Sequence, residues 1–252
     1  MIMNSVARVL VLLAAAAVCG GAVAGEPAAP QLGPFTRQDW AKLADLPDLG
    51  GVWETLGGPI TARGAPLTPF AADRLAKYQA ARDKDEIQDI ASANCLPPGV
   101  PINMAMPYPN EILVTPGKVT IVMEAFTQVR HIFTDGRPLP TDPDPAFNGH
   151  SIGRWEKDAL VVETMGFDPS TELAYGLGHS DKLRLVERYR LVSPDKLEVT
   201  FTFTDPEYFT TPWSFTRSYQ RRRTWTTKEY VCFQNNRHEL TEDGKAIVTL
   251  QK

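Results

Sequence analysis

The run Asp48-Leu49-Gly50-Gly51-Val52-Trp53-Glu54 constrains the fold of this chain more than any other segment. It sets a Gly-x-Trp unit in front of a chain in which short apolar and polar alternations follow one another. Glycine lets the backbone bend sharply where a strand begins. Alternation with a period of two predicts strands that have one apolar and one polar face. The sequence therefore predicts a mainly β protein whose first strand begins near Gly51.

The Gly-x-Trp unit resembles the start of the first strand in lipocalin-like (calycin) β-barrels. The resemblance implies that Trp53 fills the closed end of a barrel and that the barrel holds one small, mostly apolar ligand. Counting this strand, we expect eight or nine strands, close to what a small closed barrel needs. The clearest are two hairpins, formed by residues 151–156 with 159–164 and by residues 183–192 with 196–204, and we expect the last strand at 229–233.

Helix and loop signals complete the fold prediction. Thr68-Pro69 is typical of a helix start, with a hydroxyl cap followed by proline in the first turn. The segment from Cys95 to Gly117 carries six prolines, which rule out regular structure inside a sheet except for a short strand at Glu111 to Thr115. A second proline-rich loop follows from Pro138 to Pro145. We predict an antiparallel lipocalin-like β-barrel over residues 48–252, with one short covering helix, long proline-rich loops and an N-terminal arm at 25–47.

The first 24 residues are typical of a signal peptide. Arg8 provides a positive start, Val9 to Val18 are apolar, and Ala22-Val23-Ala24 has the small-x-small form of a cleavage site. Cleavage after Ala24 leaves 252 − 24 = 228 residues. We expect a periplasmic or secreted protein without a membrane anchor; a lipid anchor at Cys19 is disfavoured because Val18 stands where a small residue is required.

Export leaves two cysteines, Cys95 and Cys232. In an oxidising compartment they most simply form one disulfide, which closes a loop of 232 − 95 = 137 residues and contributes roughly 4 to 5 kcal/mol in the chain-entropy model. The alternative, a nucleophilic thiol, is disfavoured by export. The charge balance, 26 basic against 30 acidic residues, gives no electrostatic reason to bind nucleic acid, and we interpret Arg221-Arg222-Arg223 as a solvated strand face.

Two loops carry the candidate catalytic residues. His150 follows the second proline-rich loop and directly precedes a strand, which places it at a barrel rim. His179 and Asp181 lie in a second loop, close enough to share a hydrogen bond that would orient or charge the imidazole. If both loops open at the same rim, these three side chains converge on one acid–base site.

Four further residues are candidates for binding a substrate: Arg130, Trp155, Tyr189 and Tyr219. An arginine or tyrosine can hold an oxyanion, and tryptophan and tyrosine can line an aromatic pocket, although barrels also need such residues in their cores. His131 alternates with apolar residues on a strand, which is more typical of a packed or surface histidine. Arg184, Glu187, Arg188 and Arg190 can pair across strands or line a polar lumen.

Other chemistries have weaker sequence support. A metal site would use His150, His179 and Asp181 with His131, but no close-spaced ligand pair such as His-x-His is present, and we predict no metal. Ser151 is not set in a Gly-x-Ser-x-Gly motif, which disfavours a serine nucleophile. No glycine-rich phosphate loop is present, so we expect no redox cofactor and neither a dehydrogenase nor a kinase.

Several runs resemble a largely uncharacterised family of exported bacterial proteins. They are Cys95-Leu96-Pro97-Pro98-Gly99, Thr134-Asp135-Gly136-Arg137, Asn148 to Trp155, Leu160 to Thr164, His179-Ser180-Asp181, Asp205-Pro206 and Glu229 to Cys232. The family often has a histidine where Leu139 stands, which makes that position a poor candidate for catalysis in this chain.

Together these features predict an enzyme of lyase or isomerase type that works without a redox cofactor. Its substrate would be a hydrophobic, aromatic or polycyclic, hydroxylated small molecule, and His150, His179 and Asp181 would supply acid–base catalysis. The alternative is a non-catalytic periplasmic binding protein for a ligand of the same class.

Overall fold

The computed structural model describes residues 32–84 and 95–232, together with two short strands at 238–240 and 246–248. Nine strands pair in chain order, and the ninth pairs with the first, so the sheet closes into a barrel. The predicted mainly β barrel is therefore confirmed. The strands are β1 Gly51–Leu56, β2 Asn110–Thr115, β3 Lys118–Met123, β4 Gln128–Phe133, β5 His150–Glu156, β6 Ala159–Met165, β7 Arg184–Ser193, β8 Lys196–Thr204 and β9 Trp213–Arg221.

The prediction of a wholly antiparallel barrel is wrong at one joint. β4 and β5 run parallel and pair only at Ile132 with Ser151 and at Phe133 with Ile152, whereas all other neighbours in the barrel are antiparallel. The reason is geometric, because a closed ring with an odd number of strands cannot alternate in direction all the way round. A parallel pair cannot be joined by a tight hairpin. Residues 134–149 make this connection and are called the β4–β5 loop below.

Three α-helices flank the barrel within the described residues: α1 Arg37–Ala41, α2 Pro69–Asp83 and α3 Ile102–Ala105. Two 3-10 turns lie at Lys42–Asp45 and Ala125–Thr127. The predicted start of α2 is confirmed, since the Thr68 hydroxyl accepts a hydrogen bond from the backbone N–H of Ala71 at 3.2 Å. None of the helices in the described ranges is long and apolar enough to cross a membrane.

The short helix α3 lies inside the proline-rich segment that we expect to be extended, with a strand only at its end, where β2 lies. Proline is tolerated immediately before a helix because the first N–H groups lack intrahelical partners, and Pro101 occupies that place. All four residues of α3 are buried. Its Met104 carbonyl accepts a hydrogen bond from the Asn110 side chain at 3.2 Å, which fixes the helix at the start of β2.

Trp53 lies fully buried inside the barrel, as the Gly-x-Trp unit predicts. Its indole N–H donates to the carbonyl of Leu49 at 2.9 Å, and the Arg221 guanidinium lies 4.6 Å from the ring centroid. Arg221 is itself buried and donates to the carbonyls of Asp48 and Gly50. The prediction of a solvated strand face is therefore wrong for Arg221, which ties the last strand to the start of the first.

The C-terminal part of the chain departs from the predicted last strand. Over the described part of residues 229–233 no strand forms, and β9 ends at Arg221. Residues 227–230 instead lie against the outside of the barrel. There the Thr227 hydroxyl donates to Glu111 at 3.0 Å, the Lys228 N–H donates to Glu124 at 2.8 Å, and the Tyr230 carbonyl accepts from the Thr127 hydroxyl at 2.9 Å.

The predicted disulfide between Cys95 and Cys232 is confirmed, with Cα atoms 5.8 Å apart. It joins the proline-rich segment that leads to α3 with the chain that follows β9. Strands β10 His238–Leu240 and β11 Ala246–Val248 form a separate two-stranded sheet. The predicted signal peptide, residues 1–24, lies outside the described residues.

Candidate functional site

A cavity of about 1090 Å³ lies where β4 and β5 diverge beneath the β4–β5 loop. The outward-facing side chains of β4, Val129 and His131, alternate with the buried Arg130 and Ile132, so the cavity lies outside the barrel wall. We call it the seam cavity. Its wall is mainly apolar and includes Val129, Phe133, Pro138, Leu139, Phe147 and Ile152.

This position differs from the site that a ligand-holding barrel implies. Large buried side chains line the lumen, among them Trp53, Met123, Tyr189, Phe201, Phe203 and Tyr219. Because β4 and β5 share only two residue pairs, the rest of their length does not pair with each other, and the β4–β5 loop covers the opening. The seam cavity is a direct consequence of the parallel joint.

His150 is the first residue of β5 and lines the seam cavity. Its Nε2 lies 2.8 Å from the carbonyl oxygen of Asp144. Since a carbonyl can only accept, Nε2 carries a hydrogen, and in the tautomer with one ring hydrogen the lone pair is on Nδ1. No side chain or backbone group of the described residues bonds to Nδ1. The Asp144 carbonyl thus orients an imidazole whose free nitrogen can take up a proton.

His131 is the second histidine of the seam cavity and is exposed on the outer face of β4. Partial burial and the nearby Lys118 ammonium both disfavour the imidazolium, so the pKa of His131 is lowered from its ordinary value. The ring is therefore neutral at pH 7 and can accept or donate one hydrogen bond.

Arg137 is the one residue of the β4–β5 loop that brings a positive charge to the seam cavity. Its guanidinium lies 3.8 Å from the centroid of the Phe133 ring and pairs with Asp135 at 2.6 Å. The stacked cation extends the apolar wall, while the carboxylate balances its charge. This end of the cavity therefore presents a flat, neutral surface.

The structure does not join His179 and Asp181 to His150. The His179 ring bonds to the Thr171 hydroxyl at 2.7 Å and to the Ser180 carbonyl at 2.8 Å, so both of its nitrogens are occupied. The ring is buried, whereas Asp181 is exposed. The predicted hydrogen bond between them does not form, and neither residue is part of the lining of the seam cavity.

Arg130 and Tyr189, predicted to bind substrate, meet in the lumen around Glu187. Arg130 pairs with both carboxylate oxygens of Glu187, and the Tyr189 hydroxyl donates to the same carboxylate at 2.8 Å. Arg130 also donates to the Ser151 and Thr164 hydroxyls at 3.1 and 2.8 Å. These acceptors occupy the guanidinium, which makes it a structural group.

Electrostatics inside the barrel agree with this arrangement. Burial on its own would lower the pKa of Arg130, but the Glu187 carboxylate outweighs it and raises the pKa above the ordinary value. Burial and Glu187 together raise the pKa of Tyr189 well above its usual range, so the phenol stays protonated. The sequence indicates that Glu187 pairs across strands or lines a polar lumen, but none of its motifs identifies Ser151 and Thr164 as partners of Arg130.

The two remaining predicted binding residues, Tyr219 and Trp155, lie away from the seam cavity. Tyr219 is buried inside the barrel, where burial raises the pKa of its phenol, and its hydroxyl has no hydrogen-bond partner among the described residues. Trp155 is half-buried and packs against the hydrophobic core. Of the seven predicted catalytic and binding residues, only His150 and Arg130 border the seam cavity.

Fold and site together define a nine-stranded mixed β-barrel protein with a cavity of small-molecule size on the outside of its wall. Comparison with models of protein families finds no match for the chain, and comparison with curated proteins finds none either. Within the part of the chain that the structure describes, no three His, Cys, Asp or Glu side chains come together as a metal ion would require.

Proposed function

We propose that the protein is exported and binds a hydrophobic, ring-containing molecule with a hydroxyl or carbonyl group in the seam cavity, on which His150 performs acid–base catalysis without a redox cofactor. The observation that carries the proposal is the apolar cavity of about 1090 Å³ with the oriented His150 at its wall. Small-molecule pockets are mostly apolar, and a few placed polar groups orient the ligand.

The chemistry follows from the two histidines. His150 Nδ1 takes a proton from an O–H or an activated C–H of the ligand and becomes an imidazolium, which the Asp144 carbonyl stabilises through Nε2–H. Returning that proton to another atom of the ligand completes an isomerisation, and returning it to a leaving group completes an elimination. The neutral His131 supplies a second hydrogen bond to the ligand.

Two features support export. The leader composition of residues 1–24 fits a cleaved signal peptide, and a disulfide is stable in an oxidising compartment. The periplasm or the extracellular space is therefore the proposed location.

The test uses 2-tetralone, a bicyclic ketone with acidic C–H groups, as a probe. We expect the protein to accelerate exchange of these hydrogens in D₂O, followed by NMR, and His150→Gln to abolish the acceleration. Affinity for 2-naphthol, measured by its fluorescence, should stay within about tenfold, or ~1.4 kcal/mol. His131→Gln is the matched control, and it should weaken binding while exchange persists at saturation.

The second candidate is a binding protein that turns nothing over. One observation favours this candidate: the hydrogen-bond partner of His150 is the uncharged backbone carbonyl of Asp144. A carbonyl activates an imidazole as a base less than a carboxylate does. Saturable binding of 2-naphthol in the wild type without accelerated exchange would establish this candidate. Absence of binding to the seam cavity would refute both.

A further inference from the structure

A second cavity, of about 640 Å³, lies where β1 ends beside β9. β1 pairs with β9 from Trp53 opposite Arg221 to Leu56 opposite Ser218. Beyond that point the chain of residues 57–63 leaves the sheet and runs beside the part of β9 that pairs with β8 but not with β1. We call this the β1–β9 cavity, and it shares no lining residue with the seam cavity.

The charged side chains that line the β1–β9 cavity are all positive. Three cationic side chains line it, Arg63, Lys196 and Arg217, and none of the described lining residues is Asp or Glu. A concave surface that carries one sign of charge concentrates counter-ions from solution. Such a surface is suited to an anion.

Arg217 supplies the strongest argument, because its charge is buried without a counter-charge. The residue is 8% exposed, and its guanidinium donates to the carbonyls of Leu56, at 3.4 Å, and Gly58. Both acceptors are neutral, and they use two of the five N–H groups of an arginine. No carboxylate pairs with it among the described residues. Burying a charge without a partner of opposite sign is costly, and a bound anion would remove that cost.

The other two cations are available to the same ligand. Lys196 lies 3.8 Å from Glu198, which is a weak contact, and Glu198 also pairs with Arg190 at 3.3 Å. Arg63 is exposed and makes no ion pair with any described residue. Neither side chain must break a strong interaction in order to bind an anion.

The remaining wall of the cavity is aromatic and aliphatic, with Trp213, Phe215 and Ile60. An apolar surface beside three cations fits a molecule that has both an anionic group and a hydrophobic part. We propose that the β1–β9 cavity binds a small organic anion, a carboxylate or phosphate attached to an apolar ring. The anionic group faces Arg217, Arg63 and Lys196, and the ring lies against Trp213 and Phe215.

Isothermal titration calorimetry of the full chain tests this site with benzoate and phenyl phosphate as probes and benzamide as their neutral counterpart. We expect saturable binding of at least one anion, at least tenfold tighter than benzamide and weaker at high salt. Comparison of the two anions distinguishes a carboxylate site from a phosphate site.

The double variant Arg63→Gln/Lys196→Gln should weaken the anion at least tenfold. Both side chains lie at the surface, so the fold should persist, and far-UV circular dichroism verifies it. Arg184→Gln is the matched control: within the described residues this exposed arginine of β7 bonds only to the Leu183 carbonyl, at 3.1 Å, and its loss should leave affinity unchanged.

The proposal is overturned if neither anion binds saturably, if benzamide binds as tightly, or if the double variant binds like the wild type. None of these results bears on His150, because the two cavities have separate walls. Failure of the anion site and failure of the seam-cavity function are therefore distinguishable.

Discussion

At the scale of single residues, the strongest constraint inside the barrel is the pairing of Arg130 with Glu187. Both side chains are almost completely buried, at 1% and 0% exposure. A buried ion pair is not itself strong evidence of stability, since desolvation opposes the attraction between the charges. Removing only one of the two charges is costly, however, because the other charge then stays buried without a partner.

We expect Glu187→Gln to lower the free energy of unfolding by about 3 to 5 kcal/mol, since it leaves Arg130 charged and buried. Urea denaturation measures the change. Glu163→Gln is the matched control, because Glu163 also pairs with an arginine, Arg154, but at the surface, where a pair contributes about 1 kcal/mol or less. Similar losses in the two variants would contradict the interpretation of Arg130 and Glu187 as a structural pair.

His179 shows why residue roles are hard to predict from sequence. Adjacency to Asp181 suggested a catalytic pair, yet Thr171, eight positions earlier, and the Ser180 carbonyl bind its ring. Those contacts depend on how the loop folds, which no short motif encodes. His150, in contrast, follows a proline-rich loop at the start of a strand, and this local pattern is enough to predict its place at a site.

At the scale of elements, the segment that leads into α3 packs against the β4–β5 loop, which covers the seam cavity. Gly99 has φ +72° and lies directly beneath Phe147, so that a Cβ atom at this position would be 2.1 Å from the Phe147 carbonyl oxygen. The proline-rich segment and the cavity loop therefore meet at a glycine that no other residue can replace without displacing backbone.

Gly99→Ala should consequently lower stability by several kcal/mol and weaken 2-naphthol binding in the seam cavity. Gly136→Ala is the matched control, since Gly136 also has positive φ, +86°, but nothing lies within 4 Å of its added Cβ. It should show only the backbone strain, about 1 to 2 kcal/mol. Thermal unfolding of both variants checks the difference, and equal losses would show that the contact with Phe147 is unimportant.

Elements encoded locally were predictable from the sequence. Gly51 starts β1, Thr68 caps α2, and the hairpins over residues 150–165 and 184–204 follow from alternation and turn residues. The parallel joint was not predictable, because it follows from closing an odd number of strands into a ring. The predicted strand near Glu229 failed for a similar reason: alternation does not tell whether a partner edge remains free once β9 has paired with β1.

At the scale of the whole molecule, the disulfide links the proline-rich segment that precedes α3 to the chain that follows β9. We expect Cys95→Ser/Cys232→Ser to lower the free energy of unfolding by about 2 to 5 kcal/mol, because the bond restricts a 137-residue loop in the unfolded chain. The barrel should still fold, since its strands close without the bond. Urea unfolding with and without reductant measures the effect, and reductant should leave the double variant unchanged. An unaltered midpoint in the variant would mean that the bond restrains nothing in the unfolded state.

The odd number of strands affects which insertions and deletions the sequence of this barrel can tolerate. In a barrel made only of hairpins, a longer or shorter turn alters the register of two strands and with it every inward side chain. The parallel joint between β4 and β5 has no such coupling, because its strands share two residue pairs and a 16-residue crossover. Insertions and deletions can accumulate there without disturbing the core, so descendants of this chain can acquire new ligand preferences while inheriting the same barrel.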